Sequence, residues 1–95
     1  MTVHEMKASV VIPARNPGDI FPAVLDRVLE QECPWPFEVL VIDSGSSDGT
    51  VDVVRSRGVR LHEIADEEFG HGRTRNLGVS LTSGAFVAFI LTSSQ

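Results

Sequence analysis

Short apolar runs alternate along the chain with stretches in which apolar residues recur every three or four positions. The first pattern is typical of strands buried on both faces of a parallel sheet, and the second of helices packed against one. The predicted strands are 8–13, 37–42, 59–63 and 85–91. The predicted helices are 19–31, 50–57 and 73–83. This order predicts an α/β fold, with a Rossmann-like parallel sheet of about four strands and helices on both faces.

Residues next to the apolar stretches predict where the helices begin and end. Asp19 is expected to cap the first helix, and proline in Cys33-Pro34-Trp35-Pro36 cannot continue it. Gly58 and Gly84 follow the second and third helices, where a left-handed residue commonly ends a helix. The third strand is the most polar and is expected nearer an edge of the sheet. Residues 1–7 are interpreted as an N-terminal tail.

Polar segments follow three of the predicted strands, where parallel α/β sheets bind ligands. These segments are Pro13 to Gly18, Asp43 to Gly49 and Thr92 to Gln95. Because the carboxyl ends of parallel strands share one edge, we expect the three segments to converge. Asp43 stands at the end of a strand, where its carboxylate can accept a hydrogen bond from an imide or amide N–H or from a ribose hydroxyl. Asp48 is interpreted mainly as a cap of the next helix.

A second unusual segment, Phe69-Gly70-His71-Gly72-Arg73-Thr74-Arg75-Asn76, leads into the third helix. It places two arginines in the predicted first turn, where positive charge opposes the helix dipole. Free N–H groups at a helix start, together with His71 and the arginines, can hold phosphate oxygens. The alternative is that Arg75 pairs internally with Asp43 or Asp66 and only orders the loop.

Composition narrows the class of protein. The 95 residues suffice for one modest core, and a hydrophobic content of 42% with 22% charged residues is typical of a globular domain. A net charge of -5 argues against binding to nucleic acid or to an anionic membrane through a broad electrostatic attraction. No apolar run approaches the length of a membrane span, and the N-terminus lacks a signal-peptide pattern, so a cytoplasmic location is expected.

Several known ligand sites are excluded by the residues present. The segment after the first strand, P-A-R-N-P-G, is not G-x-G-x-x-G, and the chain has no P-loop motif. The Asp43 loop lacks the distal glutamate of an EF-hand, and Lys7, the only lysine, does not stand where a phosphoacceptor domain needs one. Cys33 cannot form an internal disulfide, and the three histidines are too scattered to make a recognisable metal site with it.

Four motifs then occur in order: S-V-V-I-P-A-R-N, V-L-V-I-D-S-G-S-S-D-G-T, F-G-H-G-R-T-R-N-L-G and A-F-V-A-F-I-L-T. Together they resemble the N-terminal, nucleotide-binding half of family 2 glycosyltransferases with the GT-A fold, and most of all the rhamnosyltransferase-like branch. The resemblance runs from about Ala8 to Thr92. It implies an enzyme that binds a nucleotide-sugar donor of the UDP, dTDP or GDP type and transfers the sugar to an acceptor hydroxyl.

The resemblance also implies a nucleotide-binding site made of three groups of residues. The wall along the base and ribose comprises Pro13, Ala14, Arg15 and Asn16. The base-recognition loop comprises Asp43 with its supporting residues Gly45, Ser46 and Asp48. The loop from Gly70 to Arg73, which contains His71 and Gly72, closes over the nucleoside, and Arg75 and Asn76 order that loop or approach the diphosphate.

One departure from the family limits what the resemblance implies. The family places an acidic motif that binds Mg2+ or Mn2+ just after the fourth strand, where this sequence has Thr92-Ser93-Ser94-Gln95. We therefore assign no metal ligand and no catalytic residue, although a divalent cation is expected for the full-length enzyme. Residues 8–95 are interpreted as the nucleotide-sugar-binding half of a GT-A domain, truncated at its C-terminus, with little or no activity of its own.

An alternative from a different class stays open at this point. The chain can be a non-catalytic α/β interaction or scaffold domain, which need not bind a nucleotide. Part of a larger sheet would also expose apolar surface and an unpaired strand edge, so self-association is expected.

Overall fold

The computed structural model describes residues 8–31, 37–83 and 86–90. Its strands are β1 (Ala8–Ala14), β2 (Phe37–Asp43), β3 (Arg60–Glu63) and β4 (Phe86–Phe89). Its α-helices are α1 (Phe21–Leu29), α2 (Thr50–Ser56) and α3 (His71–Leu81), and a short 3-10 helix covers Asp66–Glu68. The order of strands and α-helices confirms the sequence prediction. The 3-10 helix falls within a segment that the sequence predicts as loop.

The four strands form one parallel sheet in the order β3-β2-β1-β4. β1 pairs with β2 along its whole length, so that Ala14 lies opposite Asp43 at the carboxyl end. β3 lies at an edge, as its polar composition predicts. Because the strand order doubles back at β1, the crevice in which such sheets bind ligands lies beyond the carboxyl ends of β1 and β4.

Helices cover both faces of the sheet, as predicted. One face, under α1 and α2, buries Ile12, Ala14, Phe21, Leu25, Val28, Val41 and Val54. The other face buries Val11, Leu40 and Ile42 against a layer that includes Leu77 and Leu81 of α3. Gly78 brings α3 close to the sheet, since a Cβ atom at this position would lie 2.8 Å from Cγ1 of Val11.

The first helix begins differently from the prediction. Asp19 does not cap α1, because Ile20 occupies the N-cap position and makes no side-chain capping bond. Pro22 stands in the first turn instead, where its fixed φ suits a helix and its missing N–H would have no intrahelical partner. A proline in the first turn therefore marks the helix start better than the acidic residue before it.

The bounds of α2 agree more closely with the sequence than those of α3. Gly58 follows α2 with φ 67, as predicted for a left-handed residue after a helix. α3 begins at His71, two residues before the predicted start, because Gly70 is extended and its carbonyl accepts the N–H of Thr74. The predicted features at residues 1–7, Cys33-Pro34-Trp35-Pro36 and Gly84 lie outside the described residues.

A hydrogen-bonded cluster at the amino end of the sheet has no counterpart among the sequence predictions. Oε2 of Glu38 accepts the hydroxyl of Ser9 at 2.9 Å, and both the N–H and the hydroxyl of Ser83, at 2.9 and 3.2 Å. Arg60 lies 3.5 Å from the other oxygen of Glu38 and donates to the carbonyl of Leu81. The cluster fixes the C-terminal end of α3 to the sheet.

This cluster predicts an acid-sensitive contribution to stability. Burial of Glu38 opposes its ionisation, but the hydrogen bonds from Ser83 and Ser9 and the charge of Arg60 outweigh burial and lower the pKa of Glu38 below its ordinary 4.5. Because this pKa is lower in the folded chain, the ionised carboxylate stabilises the fold above about pH 4.5, and the contribution is lost as pH falls through the lower folded pKa. At neutral pH, Glu38→Gln should reduce the free energy of unfolding by on the order of 1 kcal/mol.

Urea unfolding of both chains between about pH 7 and pH 3 measures this effect. The difference between wild type and Glu38→Gln should shrink towards acid pH, whereas the exposed control Glu67→Gln should differ little from wild type throughout. A Glu38→Gln difference of constant size down to pH 3 would contradict the assignment to the carboxylate.

Candidate functional site

Asp43 is the buried carboxylate at the carboxyl edge of the sheet. Its side chain is 2% exposed, and it lies between Ala14 of β1 and Glu63 of β3 in the strand register. Oδ2 accepts the N–H of Ser46 at 3.0 Å. Oδ1 is buried and has no hydrogen-bond partner within the described part of the chain. An unpaired buried oxygen costs about 1–3 kcal/mol, so a ligand that donates an N–H or O–H here would be bound favourably.

The loops after β1 and β2 are joined by three hydrogen bonds. The N–H of Asn16 donates to Oγ of Ser46 at 2.8 Å, and Oδ1 of Asn16 accepts the N–H of Ser47 at 2.7 Å. The N–H of Gly18 donates to Oδ2 of Asp48 at 2.9 Å. The predicted convergence of these two loops is confirmed, and the third predicted segment, 92–95, lies outside the described residues.

Asp48 links the two loops to the start of α2. Its Oδ1 accepts both the N–H and the hydroxyl of Thr50, which satisfies an N–H that the helix leaves unpaired. Burial alone would raise the pKa of Asp48, but the hydrogen bonds from Thr50 and Gly18 lower it below the ordinary value. Asp48 therefore caps α2, as predicted, although the N-cap position itself is Gly49 with φ 90.

An ion pair ties the loop after β1 to the segment after β3. Nη2 of Arg15 lies 2.9 Å from Oδ2 of Asp66, and about half of each side chain is exposed. The guanidinium of Arg75 instead lies over the ring of Phe89, 5.4 Å from its centroid. The alternative in which Arg75 pairs with Asp66 or Asp43 is therefore wrong.

A small cleft opens where the strand order doubles back. Its volume is about 70 Å³, and it is lined by Pro13, Phe69, His71, Thr74, Arg75 and Phe89. The rings of Phe69 and His71 meet edge to face with their centroids 5.2 Å apart. Pockets that enclose drug-sized ligands are typically several times larger, so this part of the edge is an open surface site.

The sequence profile of Glycosyl transferase family 2 matches residues 9–90. This chain belongs to glycosyl transferase family 2. It is 40% identical over 88 residues to the O-antigen chain rhamnosyltransferase RfbN of Salmonella typhimurium, which covers 92% of this chain and 28% of RfbN. The family 2 chain thus spans less than a third of that relative.

Solved structures agree with this membership. TarS 1-349 of S. aureus, in complex with UDP-GlcNAc, superposes with a TM-score of 0.78 at 28% identity, over 92% of this chain and 26% of TarS. Glucosyl-3-phosphoglycerate synthase from Mycobacterium tuberculosis, in complex with Mn2+, UDP and glucosyl-3-phosphoglycerate, gives a TM-score of 0.76 at 28% identity, over 92% of this chain and 33% of the synthase. The expected partial GT-A fold is confirmed.

The other predicted site residues of this family 2 chain lie around the same edge. Ala14 is buried in the core, and its carbonyl accepts the N–H of Ser44. Gly72 and Asn76 are exposed on α3. Arg73 folds back along the helix start, with its Nε 3.8 Å from where a Cβ on Gly70 would lie. The nucleotide contacts that the family resemblance implies for these residues stay a prediction.

Sequence reasoning missed several residues of the site, among them Ser47, Phe69, Thr74 and Phe89. Ser47 contributes only its backbone N–H, which leaves no signal in a residue pattern. Thr74 and Phe89 had a usable signal: Thr74 stands one helical turn after His71, and Phe89 is the last residue of β4, at the same edge as Pro13.

The described residues do not fit a divalent cation. They include no group of three or more His, Cys, Asp or Glu side chains that could hold a metal ion. The acids at this edge are already engaged by the protein. Asp43 accepts a hydrogen bond from the N–H of Ser46, Asp66 forms an ion pair with Arg15, and Asp48 accepts hydrogen bonds from Gly18 and Thr50.

Among the described helices, none is long and apolar enough to cross a membrane.

Proposed function

We propose that this chain binds the nucleotide of a nucleotide-diphospho-sugar, as the donor half of a glycosyltransferase that acts on an acceptor hydroxyl. The observation that carries the proposal is the buried, unpartnered Oδ1 of Asp43 at the carboxyl end of β2. Because this oxygen is covered by the surrounding protein, the loops around it must open before a base can donate an N–H to it and remove the cost of leaving it unpaired. Membership of family 2, and the solved structures of TarS with UDP-GlcNAc and of the synthase with UDP, support nucleotide binding by this chain.

The hydrogen bonding of the Asp43 carboxylate, with one oxygen occupied and one free, favours one class of base. A uracil or thymine imide offers one N–H between two carbonyls, which suits a carboxylate with one free oxygen. Guanine offers two adjacent N–H donors, which are best met by both oxygens of a carboxylate. Since Oδ2 of Asp43 already receives the N–H of Ser46, we propose a pyrimidine donor of the UDP or dTDP type.

Titration of the chain with UDP, dTDP and GDP, followed by backbone NMR, tests both proposals. We expect UDP and dTDP to shift the amides of Asp43, Ser46 and His71 and to bind about tenfold more tightly than GDP. GDP binding as tightly as UDP would overturn the base assignment. The absence of any shift at millimolar nucleotide would overturn the proposed function and favour the non-catalytic interaction domain.

The remaining contacts with the donor are proposed along the same edge. The full set of residues proposed to contact the donor or to support those contacts is Pro13, Ala14, Arg15, Asn16, Asp43, Gly45, Ser46, Asp48, His71, Gly72, Arg73, Arg75 and Asn76. Its support is the position of the cleft beyond β1 and β4, where such sheets bind ligands. His71 and Arg75 border that cleft at the start of α3, where cations and free N–H groups suit the diphosphate.

Transfer itself requires more than a donor site. An inverting reaction needs positive charge on the leaving diphosphate, a base for the acceptor hydroxyl and alignment of the two sugars. We propose that the complete enzyme uses a divalent cation, as the Mn2+-containing synthase suggests, and that these 95 residues alone show no measurable turnover. A cytoplasmic location likewise stays a prediction.

The interaction-domain alternative has support elsewhere on the molecule. The side chain of Phe86 on the edge strand β4 is 71% exposed. An apolar groove of about 450 Å³, away from Asp43, is lined by residues that include Val10, Val24, Val28 and Ile90. These surfaces favour association with another chain, including a second copy, whether or not a nucleotide binds.

A further inference from the structure

Asn16 makes two contacts with the loop that follows β2. Its N–H donates to Oγ of Ser46 at 2.8 Å, and its side-chain Oδ1 accepts the N–H of Ser47 at 2.7 Å. Its φ is 46, a left-handed conformation that asparagine adopts more readily than most residues. One residue in an unusual backbone conformation thus holds two successive residues of a loop 30 positions later.

The loop that Asn16 holds is the one that orients Asp43. The N–H of Ser46 donates to Oδ2 of Asp43 at 3.0 Å, and this bond decides which carboxylate oxygen is occupied and which is free. Gly45, with φ 90, turns the chain between the two residues. Ser46 therefore lies between Asn16 and Asp43 in one continuous hydrogen-bonded chain.

We propose that Asn16 is a positioning residue, whose side chain acts on the nucleotide base through Ser47, Ser46 and Asp43. This inference rests on the proposed function, because it assumes that the free oxygen of Asp43 meets the base. It changes the interpretation of Asn16, whose side-chain oxygen is engaged by the protein rather than presented to a ligand. It also explains why a residue that tolerates a left-handed φ stands directly after Arg15.

Loss of the Asn16 side chain should leave the two loops attached. The backbone N–H at position 16 still donates to Oγ of Ser46. The N–H of Gly18 still donates to Asp48, and the N–H of Ser44 still donates to the carbonyl of Ala14. A variant of Asn16 is therefore expected to fold, with a change confined to residues 45–47. This separation allows positioning to be distinguished from general stability.

Two substitutions isolate the side-chain acceptor at a nearly constant backbone conformation. Asn16→Gly keeps the left-handed backbone conformation but removes the side-chain acceptor. Asn16→Asp keeps the left-handed conformation and also an acceptor oxygen. The probes are UDP and CDP, since ring N3 donates a hydrogen in uracil but accepts one in cytosine. The ratio of the two affinities reports how well Asp43 is placed, and the negative charge added by Asn16→Asp affects both diphosphates alike and cancels in the ratio.

We expect wild type to prefer UDP to CDP by at least about tenfold. Asn16→Gly should bring that ratio close to one, mainly by weakening UDP, and Asn16→Asp should restore it. The Ser46 amide signal should move and exchange faster with solvent in Asn16→Gly, and should return in Asn16→Asp. Equal losses of UDP and CDP affinity in Asn16→Gly would mean that Asn16 contacts the nucleotide directly, and would overturn the inference, as would an unchanged ratio.

Failure of the proposed function is separable from failure of this inference. If wild type binds neither UDP nor CDP, the nucleotide proposal is wrong. The NMR signal of the Ser46 amide then tests by itself whether Asn16 positions Asp43, because it is measured without a ligand. An unchanged Ser46 amide in Asn16→Gly would overturn the positioning role in either case.

Discussion

Asp43→Asn should weaken UDP binding at least about a hundredfold while the chain stays folded. Asparagine has nearly the shape of aspartate, and its carbonyl oxygen can accept the N–H of Ser46 in place of Oδ2. Its NH2 group then points where the free Oδ1 was. Two hydrogen-bond donors, this NH2 group and the N–H of the uracil imide, therefore face each other and cannot pair. The same NH2 complements ring N3 of cytosine, and the preference between UDP and CDP should therefore invert.

Asp52→Asn is the matched control for this variant, because it removes the same charge from an exposed position on α2. Its UDP affinity should stay within about twofold of wild type. Thermal unfolding measures whether Asp43→Asn is folded, and NMR titration measures the two affinities. A folded Asp43→Asn chain that bound UDP as tightly as wild type would remove the main support for the nucleotide site.

Gly78→Val should be the most destabilising single substitution at a glycine of the described helices, lowering the free energy of unfolding by about 3 kcal/mol or more. A Cβ atom at this position would lie 2.8 Å from Cγ1 and 3.2 Å from Cγ2 of the buried Val11. The neighbour is a branched side chain within the core, so α3 must move away from the sheet. Domains of this size have a total stability of only about 5–15 kcal/mol, so the loss is severe.

Alanine at position 78 gives a sharper test, because its two effects on the free energy of unfolding have opposite signs. The clash with Val11 destabilises the fold, whereas the higher helix propensity of alanine stabilises it. Gly78→Ala should lower the free energy of unfolding by about 1–2 kcal/mol, since overpacking outweighs a gain of about 1 kcal/mol from alanine in a helix. Gly72→Ala, in the same helix with open space around it, should instead be neutral or stabilising by up to about 1 kcal/mol.

Removal of Val11 should reverse the sign at Gly78. In a Val11→Ala background, which lacks both γ carbons, Gly78→Ala should stabilise the chain, and urea unfolding of the four chains measures this coupling. Gly78→Ala that destabilised the chain equally in both backgrounds would show that the close approach to Val11 is not the cause.

Much of the fold follows from the sequence because its strongest signals are local. Runs such as Val10-Val11-Ile12 mark strands buried on both faces, and their alternation with helices specifies a parallel sheet. Helix starts were less predictable, because the first turn of α1 depends on Pro22 and that of α3 on the extended Gly70. The exposed 3-10 helix has no apolar periodicity, so a pattern of hydrophobic positions cannot reveal it.

The site was predicted in its position but not in its contacts. Topology alone places Asp43 and the loop after β1 at one edge, since parallel strands share their carboxyl ends. Which arginine meets Asp66 depends on distances between loops that lie far apart in sequence, and the structure gives Arg15 rather than Arg75. The inward orientation of the Asn16 oxygen was equally hidden, because it is set by a backbone N–H of the opposite loop.

The strand order also governs how the chain folds during synthesis. β1 is translated first and pairs on both sides, with Ala8 opposite Phe37 in β2 and opposite Phe86 in β4. At ribosomal rates of about 5–20 residues per second, roughly 4–16 s separate the synthesis of Ala8 from that of Phe86. Throughout that interval β1 has an open edge, so chaperone capture and aggregation compete with folding until β4 leaves the ribosome.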